Sequence, residues 1–117
     1  MFVRPIVIAL FASSATLVKA QLTANATVYT PGLGVCGVYS SPSDYIIAVA
    51  APIFDSYPNP ICFKHIIANY QGRSVDAIIV DRCADCPGAN LHFSSAAFST
   101  LVDQSAGHIY GVQWNYE

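Results

Sequence analysis

The sequence predicts a small, mainly β domain closed as a barrel, with one short helix and two disulfides. Three observations carry that expectation. Short runs of β-forming residues recur between turns rich in Pro, Gly and Asn. Only the stretch from Ser95 to Val102 places apolar residues (Ala97, Phe98, Leu101, Val102) at helical spacing, behind Ser94 as a natural N-cap. Four cysteines, an even number, sit in a chain that opens like an export signal.

That opening comprises residues 1–20. Arg4 provides a positive n-region, Ile6 to Phe11 an apolar segment, and Val18-Lys19-Ala20 a small-residue cleavage site before Gln21. The apolar segment is too short to span a bilayer, so a signal peptide is expected and no membrane partner. The mature chain, residues 21–117, is one domain with room for a single modest core. It keeps three cations (Lys64, Arg73, Arg82) against seven acids, a formal charge of −4 with histidines neutral. A surface without a basic stripe cannot neutralise phosphates, so nucleic acid is excluded as a partner. The expected location is extracellular, and the expected state a monomer.

The cysteines are Cys36, Cys62, Cys83 and Cys86. Only Cys83 and Cys86 form a Cys-x-x-Cys pair, so four zinc ligands at metal spacing are lacking, and no metal is expected. A redox Cys-x-x-Cys opens a helix, whereas this one runs into Pro87-Gly88. Three pairings are open. Cys36–Cys62 with Cys83–Cys86 is favoured, one bridge closing a long loop and the other locking a turn. The sequence carries no flavin, nucleotide or copper motif, so no cofactor is expected.

In chain order, Ala26 to Thr30 reads as a strand ending at Pro31-Gly32-Leu33-Gly34, and Asn25-Ala26-Thr27 is the one N-glycosylation sequon. Ser40 to Asp44 is a polar loop. Ile46 to Ala51 is an apolar run stopped by Pro52, and Asp55 to Pro60 an irregular loop. Lys64 to Tyr70 and Ser74 to Val80 form a hairpin about Gln71-Gly72. His108 to Tyr116 is the final strand, on which Trp114 and Tyr116 share a face, either as core or as a stacking platform. His65 and His108 carry no signal. Five or six strands and one helix suit a barrel, since closure removes sheet edges.

The chain is organised around Ala77 to Gly88. A run of β-formers, buried on both faces, stops at Asp81, and a tight Cys-x-x-Cys loop follows. A carboxylate at such a strand end either lines a cleft with an apolar floor, where it can act as a proton donor, or caps the turn by accepting backbone N–H groups.

Four segments then bear a family resemblance: Ala26 to Gly37, Pro58-Asn59-Pro60-Ile61-Cys62, Val80-Asp81-Arg82-Cys83-Ala84-Asp85-Cys86, and Ser94 to Phe98. Together they resemble the secreted, single-domain fungal proteins of the RlpA-like double-psi β-barrel class, whose relatives include expansins, loosenin-type expansin-like proteins and barwin-like domains. The resemblance covers the whole mature chain. It implies a six-stranded double-psi β-barrel with a crossing helix and a shallow groove. Asp81 then matches the acid essential for wall loosening in expansins, which is the proton donor in lytic members. Thr27 and Tyr29 match groove-lining positions of the first strand.

Two departures matter. The position of the family's second acid is held by His92, within Leu91-His92-Phe93-Ser94. The histidine of RlpA-type lytic enzymes has no counterpart in Ala50-Ala51-Pro52-Ile53. Inverting glycoside hydrolysis needs an acid and a base about 6.5–9.5 Å apart, so no hydrolase activity is expected. The resemblance implies instead a non-hydrolytic binder of cell-wall polysaccharide (cellulose, chitin or a peptidoglycan-like polymer), with Thr27, Tyr29, Asp81 and His92 lining the groove. The alternatives are a protein-binding module, such as a cysteine-protease inhibitor or host–microbe effector using the loops Ser40–Asp44 and Asp55–Pro60, and a single-Asp lytic transglycosylase. A carboxylate beside His92 is expected to raise its pKa unless desolvation dominates.

Overall fold

A computed structural model describes residues 21–57 and 61–117. The expected signal peptide (1–20) and Pro58 to Pro60 of the expected 55–60 loop lie outside the described residues. Six strands form the wall: β1 Leu22–Val28, β2 Ile46–Ala50, β3 His65–Tyr70, β4 Arg73–Cys83, β5 Leu91–Phe93 and β6 His108–Tyr116. They close as a barrel in the order β1-β5-β2-β4-β3-β6. Two contacts are parallel, β1 with β5 and β2 with β4, and the rest antiparallel. Short loops cannot join parallel neighbours, so the chain must cross the barrel between them.

Alternation fills the interior. Ala24 and Ala26, Ile47 and Val49, Ile66 and Ala68, Val75, Ala77 and Ile79, Leu91 and Phe93, and Val112 and Trp114 are all buried in one cluster. The helix α2, Ser95–Leu101, adds Ala97, Phe98 and Leu101, with Phe98 edge-on to Phe93 at 6.4 Å between ring centroids. Ser94 caps it as expected: its Oγ accepts from Ala97 N at 3.3 Å and donates to the Asp44 carbonyl at 2.5 Å. The cap therefore also anchors the 40–44 loop. Trp114 is fully buried and donates Nε1–H to the Ala89 carbonyl at 3.0 Å, so its face of β6 is core and not a stacking platform.

Several elements differ from the sequence expectation. The first strand begins four residues earlier than Ala26, because its outer half pairs with β6. Pro52 does not stop the chain but lies in the first turn of a short helix, α1 Ala51–Ser56, where its missing N–H costs nothing. The expected loop at Asp55 and Ser56 is thus helical. The strand that was to stop at Asp81 continues to Cys83, and on it Ile79 pairs with Ile47 but Asp81 with Ala48, so Val80 is passed over. The hairpin of β3 and β4 turns at Gln71-Gly72, both with positive φ (47° and 84°), the left-handed pair that two-residue hairpins demand.

Both favoured disulfides are present. Cys36–Cys62 spans 26 positions and Cys83–Cys86 three.

Candidate functional site

Neighbouring strands set the site in register. Thr27 of β1 pairs with His92 of β5, His92 with Ala48 of β2, and Ala48 with Asp81 of β4. Thr27, His92 and Asp81 therefore stand in one row across four strands, with the small Ala48 between the last two. Tyr29 follows β1, its N–H bonded to the Phe93 carbonyl at 2.9 Å. Its ring lies 5.3 Å from the His92 ring, tilted by 37°. All four residues expected to line a groove are thus on one surface.

Beneath them lies a second apolar cluster, separate from the barrel interior. Ala48, Ala50, Cys83 and Cys86 form it, with Tyr29 and Ile53 packed against them. His92 Nε2 is 3.6 Å from Cys83 Sγ. This setting decides the imidazole chemistry. Burial lowers the His92 pKa below 6.5, and Asp81 and Asp85 oppose that only in part. Desolvation therefore dominates, the exception the sequence reading allowed, because the half-buried ring packs beside the Cys83 sulfur and the Tyr29 ring. Burial, reinforced by the Asp81 charge, pushes the Tyr29 phenol up to about 12.

Asp81 accepts backbone N–H groups, but from the distant loop at Val35 and from its own neighbour on β4 and not from the Cys83–Cys86 turn. Its Oδ1 accepts from Val35 N at 2.9 Å and from Arg82 N at 2.8 Å. The loop carrying Val35 crosses so close to β4 that any side chain at Gly34 would collide with the Val80 carbonyl oxygen. Cys36 N bonds that same carbonyl at 3.1 Å. Among the described residues Asp81 Oδ2 takes no hydrogen bond, so it remains open to the row.

Beside the row is a cleft of about 190 Å³, lined by Asn25, Thr27, Asp85, Asn90, His92 and His108 among others. Asn90 Oδ1 accepts from Asn25 N at 2.9 Å, tying the loop after Pro87-Gly88 to β1. The sequon residue Asn25 is half-buried in this cleft. Asn90 and His108 were missed by sequence reasoning. His108 joins the site only because barrel closure pairs it with Thr27, and no local pattern signals that. His65, expected to be idle, hydrogen-bonds Asp76 at the surface, with 2.7 Å between Nδ1 and Oδ1.

Cations are placed elsewhere. Arg82 grips Asp55 with two bonds of 2.9 and 2.7 Å, and Lys64 lies over the Tyr57 ring at 5.7 Å. Among the described residues, two trios offer three metal-ligating atoms within 4.8 Å of one another: Cys83, Cys86 and His92, and the exposed His65, Asp76 and Glu117. In the first trio the sulfurs are bonded to each other.

No family model matches the chain. It is 30% identical to the "Allergen Asp f 7 homolog" of Arthroderma benhamiae over 113 residues, spanning 80% of this chain but only 38% of that protein. It is 29% identical to the "Papain inhibitor" of Streptomyces mobaraensis over 102 residues, 82% of this chain and 71% of that one. Among solved structures, the Streptomyces papain inhibitor superposes with a TM-score of 0.75 at 28% identity, covering 83% of this chain and 94% of the inhibitor. The Clavibacter michiganensis expansin gives 0.72 at 23% identity, covering 84% of this chain and 50% of the expansin, a likeness of fold alone. A mutant of that expansin has been solved in complex with cellohexaose. With its six-stranded closed wall and these neighbours, the chain has the double-psi β-barrel fold seen in the papain inhibitor and the expansin.

Proposed function

We propose that this protein is secreted after removal of residues 1–20 and binds cell-wall polysaccharide along the row of Thr27, Tyr29, His92 and Asp81, without cleaving it. The observation that carries the reading is the row itself: a hydroxyl, two tilted rings and a carboxylate set side by side on neighbouring strands and the end of β1. Rings of this kind stack on sugar faces, and the polar groups bond hydroxyls between them. Hydrolysis is disfavoured because the second acid's position is a histidine and Asp81 Oδ1 is already engaged by the Val35 amide of the 34–36 loop and by the Arg82 amide. The fold likeness to an expansin crystallised with cellohexaose is consistent with this choice.

The test is depletion of the protein from solution by insoluble cellulose, chitin and peptidoglycan. Tyr29→Ala or His92→Ala should weaken binding about tenfold, the equivalent of about 1.4 kcal/mol. Sugar release between about pH 4 and 8 that vanished in Asp81→Asn would revive the lytic alternative.

A second reading, a protein-binding module, has its own observation. The loop held by Cys36–Cys62 exposes Leu33 (60%), Val35 (62%) and Tyr39 (81%), with Phe63 (50%) beyond the bridge. This chain covers 94% of the solved papain inhibitor. Inhibition of papain that disappears in Val35→Asp, with polysaccharide binding intact, would assign the loop to a protease and the row to a glycan.

A further inference from the structure

The cleft beside the row differs from a generic sugar site in its charge. Asp81 and Asp85 are the formal charges at this surface, and both act on the His92 ring at its centre. Among the described residues, no lysine or arginine lines the cleft. Arg82 is clamped by Asp55, Lys64 covers Tyr57, and Arg73 begins β4 at the hairpin, eight positions before Asp81. The side chains that complete the cleft, Asn25, Asn90 and Thr27, are uncharged. A surface of this kind repels carboxylate-bearing polymers and favours cationic ones.

We infer that the groove selects glycans bearing free amino groups, of the glucosamine type, over neutral glucans and over uronate-bearing polymers. The inference rests on the polysaccharide-binding reading and names the ligand class of the same site. An ammonium group on a sugar seated against the Tyr29–His92 pair would lie beside the open Oδ2 of Asp81 or the exposed carboxylate of Asp85. The remaining hydroxyls would meet Thr27 and the two Asn carboxamides. Because the cleft is small, it takes a single unit, with the rest of the chain running along the row.

The experiment compares binding of the full mature protein to chitosan, chitin and polygalacturonate at about pH 5.5, where amines are cationic and most carboxylates ionised. Because the whole protein is acidic, the decisive arm is a set of single charge removals. Asp85→Asn, at an exposed position, should lower chitosan affinity about fivefold. Asp103→Asn, which lies in the exposed turn before β6, should change it less than about twofold. Asp81→Asn should act like Asp85→Asn, with thermal unfolding recorded to separate loop loosening from lost charge. Equal losses in Asp85→Asn and Asp103→Asn would show only diffuse attraction and overturn the inference. Binding to chitin as tight as to chitosan would overturn it too, while leaving the polysaccharide reading in place. Binding to none of the polymers would sink both.

Discussion

The two disulfides use the same bond for different ends. Cys36–Cys62 joins residues 26 positions apart, and what it holds faces outward: Leu33, Val35 and Tyr39 on one side, Phe63 on the other. Cys83–Cys86 joins residues three apart and is itself buried, part of the apolar pad under Tyr29 and His92. In the loop-entropy account the long bridge stabilises the fold by about 3.5 kcal/mol and the short one by about 1.6 kcal/mol. The long bridge is a restraint on the unfolded chain. The short bridge is a building material of the site, and its chemistry matters less than the surface it presents.

That contrast can be broken by experiment. The largest effect should come from Cys36→Ala with Cys62→Ala, a loss of about 3.5 kcal/mol in denaturant unfolding. Cys83→Ala with Cys86→Ala should cost roughly half as much in stability and yet reduce polysaccharide binding more, since the floor beneath the rings is cut away. If the two pairs weaken binding equally, the distinction fails. Next comes Asp81→Ala, which leaves the Val35 and Arg82 amides without their acceptor and should cost about 1–3 kcal/mol, with faster hydrogen exchange at Val35. Asp81→Asn keeps an acceptor oxygen and should cost less.

The smallest effect is on pH dependence. His92 is disfavoured as imidazolium in the folded state, so its folded pKa lies below the unfolded value near 6.5. Between those two values the unfolded chain holds more protons, and stability rises with pH. The gain is complete above about pH 6.5 and is lost as pH falls toward the folded pKa. His92→Gln should flatten that window. A slope of opposite sign would mean that Asp81 and Asp85 outweigh burial.

Much of the architecture was legible because its signals are local. Ser94 before Ala97, Phe98 and Leu101 marks α2, Gln71-Gly72 marks the hairpin, and the isolated Cys-x-x-Cys marks its own bridge. The misses are non-local. Leu91-His92-Phe93 is too short to show a period, and it is a strand only because β1 and β2 flank it. Pro52 reads as a terminator until the chain around it is known to be helical. Membership of the row was suggested by family likeness, but the direction of the His92 shift was not, because the ring's contact with Cys83 joins residues whose packing no spacing reveals.

The unpaired Val80 sets the phase of everything after it. Up to Ile79 the odd-numbered residues of β4 point into the barrel, as Val75, Ala77 and Ile79 do. One extra residue inverts that parity, so Asp81 and Cys83 join Ala48 and Ala50 on the outer wall. Were the bulge ironed out at unchanged length, Val80 would pair with Ala48 and Asp81 with the core residue Val49, turning the carboxylate toward the apolar interior and removing the bridge from beneath His92. The site thus depends on a count as much as on a composition. A homologue that keeps Asp-Arg-Cys-x-x-Cys at the same strand length but pairs without the bulge would carry the motif without the surface.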